Sequence, residues 1–141
     1  MKRLTFGALI VLLGCAAAGC SDDIDTLPTP VTPTIITEPP FIGTLTPNGA
    51  ITNSFTATSF GAVVVTLVAL DPNPDNVVRV GLSLGTWNGQ ACQTILSNDN
   101  APIGAVLTGQ TSGAAALCAR IFDARGALTQ PVNFEIRITH P

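Results

Sequence analysis

Three oxygen-bearing side chains alternate along a short stretch in the middle of the sequence. Asp71, Asn73 and Asp75 stand at every second position, with prolines between them, and oxygen donors spaced in this way can converge on one Ca²⁺ ion. Asp99 would supply a further donor from a separate loop. A full calcium loop has glycine at its sixth position, where this chain has Asn76, and an ordinary turn between strands explains the same residues. Both interpretations stay open.

Trp87 is the only tryptophan, and it stands between Gly85 and Gly89 in a context that predicts a loop. The flat ring of a loop tryptophan can stack on a sugar in a carbohydrate-binding site. Such a ring can equally cover the edge of a hydrophobic core, and the chain has no tyrosine that could form a second stacking platform. Trp87 is therefore a candidate ligand-binding residue with a structural alternative.

The chain has four cysteines, two of which could form a disulfide. Cys15 and Cys20 lie near its start, which leaves Cys92 and Cys118 as a pair in the rest of the sequence. In an exported protein such a pair is expected to form a disulfide, which stabilises the fold by about 3–4 kcal/mol in the chain-entropy model. A metal site is the alternative, but the chain has no C-x-x-C motif and a single histidine, His140.

Few residues could assemble a catalytic centre. The sequence has one histidine, no G-x-S-x-G motif and no lysine beyond Lys2, so a serine nucleophile would have no nearby base to activate it. Asp123 with Arg125, and Glu135 with Arg137, have the pattern of solvated charges in a turn and on a strand. We therefore predict that the protein is not an enzyme.

The net charge of the chain argues against two classes of binding partner. From Cys20 onward the chain carries four arginines and nine acidic residues, which gives a net charge of −5. Binding to nucleic acid, or electrostatic docking to anionic lipid, requires clustered lysine or arginine to neutralise phosphates. The sequence therefore predicts no nucleic-acid partner.

The first residues have the pattern of an export signal. Lys2 and Arg3 form a basic head, and residues 4–18 are uncharged and rich in leucine, valine and alanine. A transmembrane helix is the competing interpretation, but it needs roughly 20 apolar residues to span the hydrocarbon. The apolar run is shorter than that and contains glycines and cysteines, so a signal peptide over residues 1–19 is favoured.

Small residues precede Cys20, and the segment resembles a bacterial lipoprotein signal, in which the cysteine becomes the lipid-modified N-terminus. Cys15, after Leu-Leu-Gly, is the alternative lipidation site, and an ordinary cleaved signal peptide is a further alternative. The resemblance implies a protein held in the cell envelope by acyl chains such as palmitate. Ser21 follows Cys20 where an aspartate would favour retention, which implies the outer membrane in preference to the inner membrane.

Proline and threonine dominate the segment after the signal. Prolines stand at positions 28, 30, 33, 39 and 40, and proline at this density favours extended backbone at about 3.1 Å per residue. We predict that residues 20–40 comprise the lipidated cysteine and a semi-rigid spacer. A proline-rich ligand for a partner domain is the alternative.

From residue 41 to residue 141, short apolar runs alternate with turn residues. Residues 77–84 and 132–139 alternate apolar and polar side chains, which is typical of strands with one buried face. Both faces of 61–70 are apolar, which predicts a strand covered on two sides. Strands at this spacing indicate an all-β domain, an antiparallel β-sandwich of about eight strands. The predicted strands are 41–45, 51–58, 61–70, 77–84, 92–96, 105–108, 114–122 and 132–139, with turns at 85–90 and 97–100.

Alternation also predicts where the disulfide lies. If Leu117, Ala119 and Ile121 face the core, Cys118 shares the outer face with Arg120 and Phe122. The bridge to Cys92 would then join neighbouring strands outside the core and would not cross between the two sheets.

Several short motifs follow one another through residues 41–141. They are F-x-G-x-L-T-P-x-G at 41–49, S-F-T-A-T at 54–58, V-V-V-T-L at 63–67, D-P-N at 71–73, V-R-V-G-L-S-L at 78–84, Ser97-Asn98-Asp99, L-C-A-R-I-F at 117–122 and F-E-I-R-I-T at 134–139. Their order resembles the bacterial pre-peptidase C-terminal domain, which usually has an aromatic where this chain has Leu117. The resemblance implies a jelly-roll-like accessory sandwich that binds calcium or polymer in some members and that is not catalytic.

These observations together predict a lipid-anchored protein of the cell envelope that carries one non-catalytic β-sandwich. Its expected role is a binding or accessory module for an envelope polymer or a protein partner. Two alternatives remain, a passive structural or assembly component of the envelope and a calcium-stabilised carbohydrate-binding module.

Overall fold

The computed structural model describes residues 32–141. The predicted signal peptide, both candidate lipidation sites, Cys15 and Cys20, and the first part of the predicted spacer lie outside these residues. Within the described range, no helix has the length and apolar character needed to cross a membrane.

Residues 32–141 fold into nine β-strands, all paired in antiparallel fashion, and one short 3-10 turn at Pro74–Asn76. The strands are β1 (Ile36–Thr37), β2 (Phe41–Leu45), β3 (Ala50–Ala57), β4 (Phe60–Asp71), β5 (Val80–Trp87), β6 (Cys92–Ala101), β7 (Val106–Ser112), β8 (Ala115–Phe122) and β9 (Val132–His140). The predicted all-β class is confirmed, with one strand more than expected.

The strands form two sheets that pack face to face. Sheet A has the order β1-β9-β4-β7, with β2 also paired to β9, and sheet B has the order β3-β8-β5-β6. Counted from β2, the pairs β2–β9, β3–β8, β4–β7 and β5–β6 nest inside one another, so the chain is one long antiparallel hairpin wound into a sandwich. This is the jelly-roll arrangement, and that prediction is confirmed.

The core lies between the sheets and is built by alternation. In β9, Phe134, Ile136 and Ile138 are buried while the residues between them are exposed or half-buried, as predicted. In β4 only one face is fully buried. Val64 on its other face is half-buried, so the expectation that β4 is covered on two sides is wrong. The described residues form only two sheets, so no third layer packs against that face.

Strand β5 is more deeply buried than the sequence predicted. Val80, Leu82 and Leu84 face the core as expected, but Gly81 and Ser83 on the opposite face are buried as well. The ring of Phe122 covers Gly81 so closely that a Cβ there would overlap it. The outer face of sheet B is therefore partly covered by its own aromatic side chain.

One predicted turn is wrong, and a second begins later than predicted. Residues 97–100 continue β6, where Ser97 pairs with Ser83 and Asn98 with Leu82, because an exposed edge strand accommodates short polar side chains without loss of packing. Residues 85–87 belong to β5 and pair with the start of β6. The chain instead reverses at Asn88, whose Oδ1 accepts the backbone N–H groups of Gln90 and Ala91.

Strand β1 lies inside the segment that was predicted to be spacer. Ile36 pairs with His140 and Thr37 with Thr139, and the backbone N–H of Glu38 donates to the carbonyl of Ile138 at 3.0 Å. Prolines at 33, 39 and 40 flank this pair of residues without interrupting it. The folded part therefore begins before residue 41.

Candidate functional site

A cleft with a volume of about 460 Å³ lies at one end of the sandwich. Three separate segments meet there, namely the β4–β5 connection, the end of β6 and the β8–β9 connection. The lining residues are Pro72, Pro74, Val77, Val78, Arg79, Asp99, Asn100, Asp123, Ala124, Arg125, Ala127, Leu128, Thr129, Gln130 and Val132. A volume of this size is typical of small-ligand sites.

Asn73 fixes the β4–β5 side of the cleft. Its Oδ1 accepts the backbone N–H of Val78 at 2.8 Å, and its Nδ2 donates to Oδ1 of Asn76 at 3.1 Å. Side-chain amides that bond nearby backbone in this way stabilise turns in place of a strand ladder. The turn thus holds Val77 and Val78 against the cleft.

Asp123 fixes the opposite side. Its Oδ2 accepts the backbone N–H of Asn48 at 2.9 Å, and its Oδ1 accepts that of Ala127 at 2.9 Å. The N–H of Leu128 adds a longer bond of 3.4 Å to Oδ2, and the Asp123 N–H donates to the carbonyl of Gly49. One carboxylate therefore ties the β8–β9 connection to the β2–β3 turn.

These bonds shift the acidity of Asp123. Partial burial by itself raises the pKa of the carboxyl, but the backbone N–H groups of Asn48, Ala127, Leu128 and Arg125 together lower it more, so the pKa lies below its ordinary value of 3.8. Asp123 stays ionised at neutral pH and acts as an acceptor. It is poorly suited to give up a proton as a general acid.

Replacing Asp123→Asn is expected to lower the free energy of unfolding by about 1–2 kcal/mol at pH 7, because one acceptor oxygen becomes an NH₂ group facing backbone donors. A group whose pKa is lowered on folding stabilises the fold above its unfolded value, and that contribution is lost as the pH falls through the lower folded value. Urea unfolding of both proteins should give a constant difference from pH 7 to 5 and a shrinking one below about pH 4. A difference that grows on acidification would contradict this assignment.

The remaining charges of the cleft are Arg79, Arg125 and Asp99. Nη1 of Arg79 donates to the backbone carbonyls of Asn76 and Val78 at 2.7 and 2.9 Å. Oδ1 of Asp99 accepts the hydroxyl of Ser97 at 2.6 Å. The lining contains two aspartates and one threonine, but no histidine, lysine, cysteine, serine or glutamate. Its donors and acceptors suit binding.

The chain matches no family model and no curated protein. The geometry of the cleft is therefore the basis on which a role can be assigned.

The predicted calcium ligands lie on two segments, the end of β4 with the connection that follows it and the end of β6. Asp71 ends β4, opposite Asn133 of β9, and of the four candidates only Asp99 lines the cleft. Oδ1 of Asn73 already accepts the backbone N–H of Val78, which leaves one lone pair of that oxygen for a cation. Residues 32–141 contain no cluster of three or more histidine, cysteine, aspartate or glutamate side chains suited to a metal. Calcium binding stays a prediction.

Trp87 is the last residue of β5 and pairs with Cys92, so it stands on a strand and not in the predicted loop. Its side chain is half-buried, and it does not line the cleft at the end of the sandwich. A sugar stacked on Trp87 would therefore lie at a separate place, beside the Cys92–Cys118 bridge. That role also stays a prediction.

Cys92 and Cys118 form a disulfide with a Cα–Cα distance of 5.7 Å. The bridge lies within sheet B, and Cys118 is on the face opposite to Leu117, as the alternation predicted. The expectation of neighbouring strands is wrong, because β5 runs between β6 and β8. Residue 85 of β5 is a glycine, and its missing side chain leaves room for the start of β6 to approach β8.

His140 was missed as a structural residue. Its ring is buried, stacks on Phe55 with centroids 5.3 Å apart, and contacts Oε1 of Glu38 through Nε2 at 2.8 Å. Continuing the alternation of β9 by one residue would have placed it on the core side. The sequence could not identify Arg79 and Arg125 as residues of one cleft, because no local pattern indicates that the β4–β5 and β8–β9 connections meet.

Proposed function

We propose that this protein is a lipid-anchored, non-catalytic binding module of the cell envelope whose binding site is the cleft at the end of the sandwich. The observation that carries the proposal is the position of the cleft relative to β1. Val132, the first residue of β9, lines the cleft, whereas β1 pairs with Thr139 and His140 at the other end of that strand. About seven strand residues separate the two ends, which is roughly 25 Å.

The direction of the chain supports the same orientation. Since β1 is antiparallel to β9, the step from Thr37 back to Ile36 leads away from Val132. Thr32 and Pro33 line a shallow depression with Phe60, the first residue of β4, at that same end. The described chain therefore begins at the end of the domain remote from the cleft, and a tether from Cys20 would join the domain through that end. A passive structural component would need no such cleft.

The anchor can be tested by mass spectrometry of the protein extracted from membranes. We expect a mature N-terminus at Cys20 carrying acyl chains, with Cys20→Ala failing to be processed and Cys15→Ala processed normally. The reverse pattern would assign the anchor to Cys15. Cleavage without acylation would contradict the anchor altogether.

The cleft can be tested by photo-crosslinking in intact cells. We would replace Thr129, an exposed lining residue, with p-benzoylphenylalanine and use the same replacement at Thr108, an exposed residue of β7 outside the cleft. The proposal expects discrete envelope adducts from position 129 that are absent from position 108. Equal labelling at both positions, or none at 129, would favour a passive structural role.

A further inference from the structure

Residues 32–141 contain four arginines, and two of them have no charged or aromatic partner within that range. Arg137 pairs with Glu135 at 3.9 Å, and Arg120 lies over the ring of Phe122 at 5.1 Å. Arg79 and Arg125 form no ion pair with a described residue, and both line the cleft. In an acidic protein, the two arginines of residues 32–141 that lack an ion pair or aromatic partner therefore line the same cleft.

The acidic residues of the cleft form no salt bridge with these arginines among residues 32–141. The oxygens of Asp123 already accept backbone N–H groups from Asn48, Ala127 and Leu128. Asp99 accepts the hydroxyl of Ser97 and forms no ion pair with a described arginine. A ligand carboxylate could therefore pair with either guanidinium without displacing an existing salt bridge.

The side chain of Arg79 is already fixed by hydrogen bonds in the absence of a ligand. Both bonds from its Nη1 go to backbone carbonyls, which leaves Nε and Nη2 without a partner among the described residues. The Nε–Nη2 edge of a guanidinium matches the two oxygens of a carboxylate. A side chain that is already fixed loses less conformational entropy when the ligand arrives.

The rest of the lining indicates the body of the ligand. Aliphatic and proline side chains form the apolar part, Asn100, Thr129 and Gln130 supply amide and hydroxyl groups, and no aromatic ring is present for sugar stacking. The two arginines are balanced by two aspartates, so the cleft favours single carboxylates over a doubly charged phosphate. This combination suits an extended peptide with aliphatic and acidic residues.

We propose that the cleft binds an acidic peptide segment of a partner protein, with one carboxylate on Arg79 and the adjoining charge on Arg125. This inference rests on the proposed binding function of the cleft and adds its ligand class.

The test is calorimetric titration of the full-length protein, purified in neutral detergent, with two defined peptides. The probes are acetyl-Leu-Glu-Val-Glu-Leu-amide and its counterpart with glutamine in place of both glutamates. We expect the acidic peptide to bind about tenfold more tightly than the neutral one. Arg79→Gln and Arg125→Gln should each weaken binding about tenfold, and Arg79→Lys should restore only part of the loss, since lysine lacks the fork geometry.

Arg137→Gln is the matched control, because Arg137 is an exposed arginine of β9 outside the cleft, and it should leave the affinity unchanged. Arg79 also supports its turn, so circular dichroism must confirm folding, and Arg125→Gln carries the test if Arg79→Gln unfolds. Equal binding of both peptides, or equal loss in Arg137→Gln, would overturn the proposal. Tighter binding of a uronic-acid oligomer or of inorganic phosphate would overturn the peptide assignment. If neither peptide binds while position 129 still forms adducts in cells, the acidic-peptide proposal is overturned and the proposed binding function of the cleft is retained.

Discussion

Replacing both Cys92 and Cys118 with alanine is expected to lower the free energy of unfolding by about 3–4 kcal/mol. The two residues are 26 positions apart, and in the chain-entropy model a cross-link of that span removes this much freedom from the unfolded chain. Alanine at 118 adds a small packing loss, because Cys118 is fully buried. For a domain of this size the melting temperature should fall by about 15 °C.

The measurement is thermal unfolding by circular dichroism, with the wild-type protein in dithiothreitol as the second arm. Reduction breaks the same bond without changing the sequence, so its melting temperature should fall by a similar amount. Thiol titration of the oxidised protein in denaturant should find no free thiol at either position. A double variant that melts within about 3 °C of the oxidised wild type would show that the bridge constrains the unfolded chain very little.

Alternation of apolar and polar side chains was enough to predict most of the sandwich. It placed β9 and the inward residues of β5, because a strand that buries one face against a core must repeat every two residues. It also placed Cys118 on the outer face of β8, opposite to Leu117 and Ala119. Alternation is a local pattern. It predicts a strand correctly wherever packing against the core determines which side chains are apolar.

The errors arise where tertiary pairing overrides local signals. Asn98 and Asp99 have turn chemistry, yet the ladder with β5 keeps this stretch extended. Ile36 and Thr37 are too few to be recognised as a strand, and only the free edge of β9 makes them one. The cleft could not be predicted from local sequence either. Its walls come from connections that only the nested hairpin topology brings together. Asp123, expected to be a solvated charge, is instead the acceptor that fixes one wall.

Gly85 has the largest predicted effect of any single residue. The sequence assigned it to a turn, but it lies within β5 between the two strands that the disulfide joins. A Cβ at this position would overlap the backbone carbonyl of Gln93 and lie 2.9 Å from Cα of Thr94. The obstacle is backbone and cannot move aside by changing a rotamer, so Gly85→Ala is expected to cost about 3 kcal/mol, the upper end of the range for overpacking.

Gly113→Ala is the matched control for Gly85→Ala. A Cβ on Gly113 meets nothing within 4 Å, and Gly113 is not among the glycines with positive φ, so the substitution should be neutral or stabilise by a few tenths of a kcal/mol. Urea unfolding of the two variants separates a steric effect at Gly85 from a general effect of losing glycine. Equal stability of the two would contradict the close approach of β6.

The cost at Gly85 should depend on the disulfide, because Gln93 follows Cys92 directly and the bridge holds the start of β6 over β5. Without the bridge, β6 can move away from the new methyl group. Gly85→Ala is therefore expected to cost less in the Cys92→Ala/Cys118→Ala background, with a coupling of at least about 1 kcal/mol between two changes at one contact. Strict additivity would mean that the β5–β6 ladder alone holds Gln93 in place. Gly85 and the disulfide would then contribute to stability independently. They would not act together to bring β6 close to β8 across the intervening strand β5.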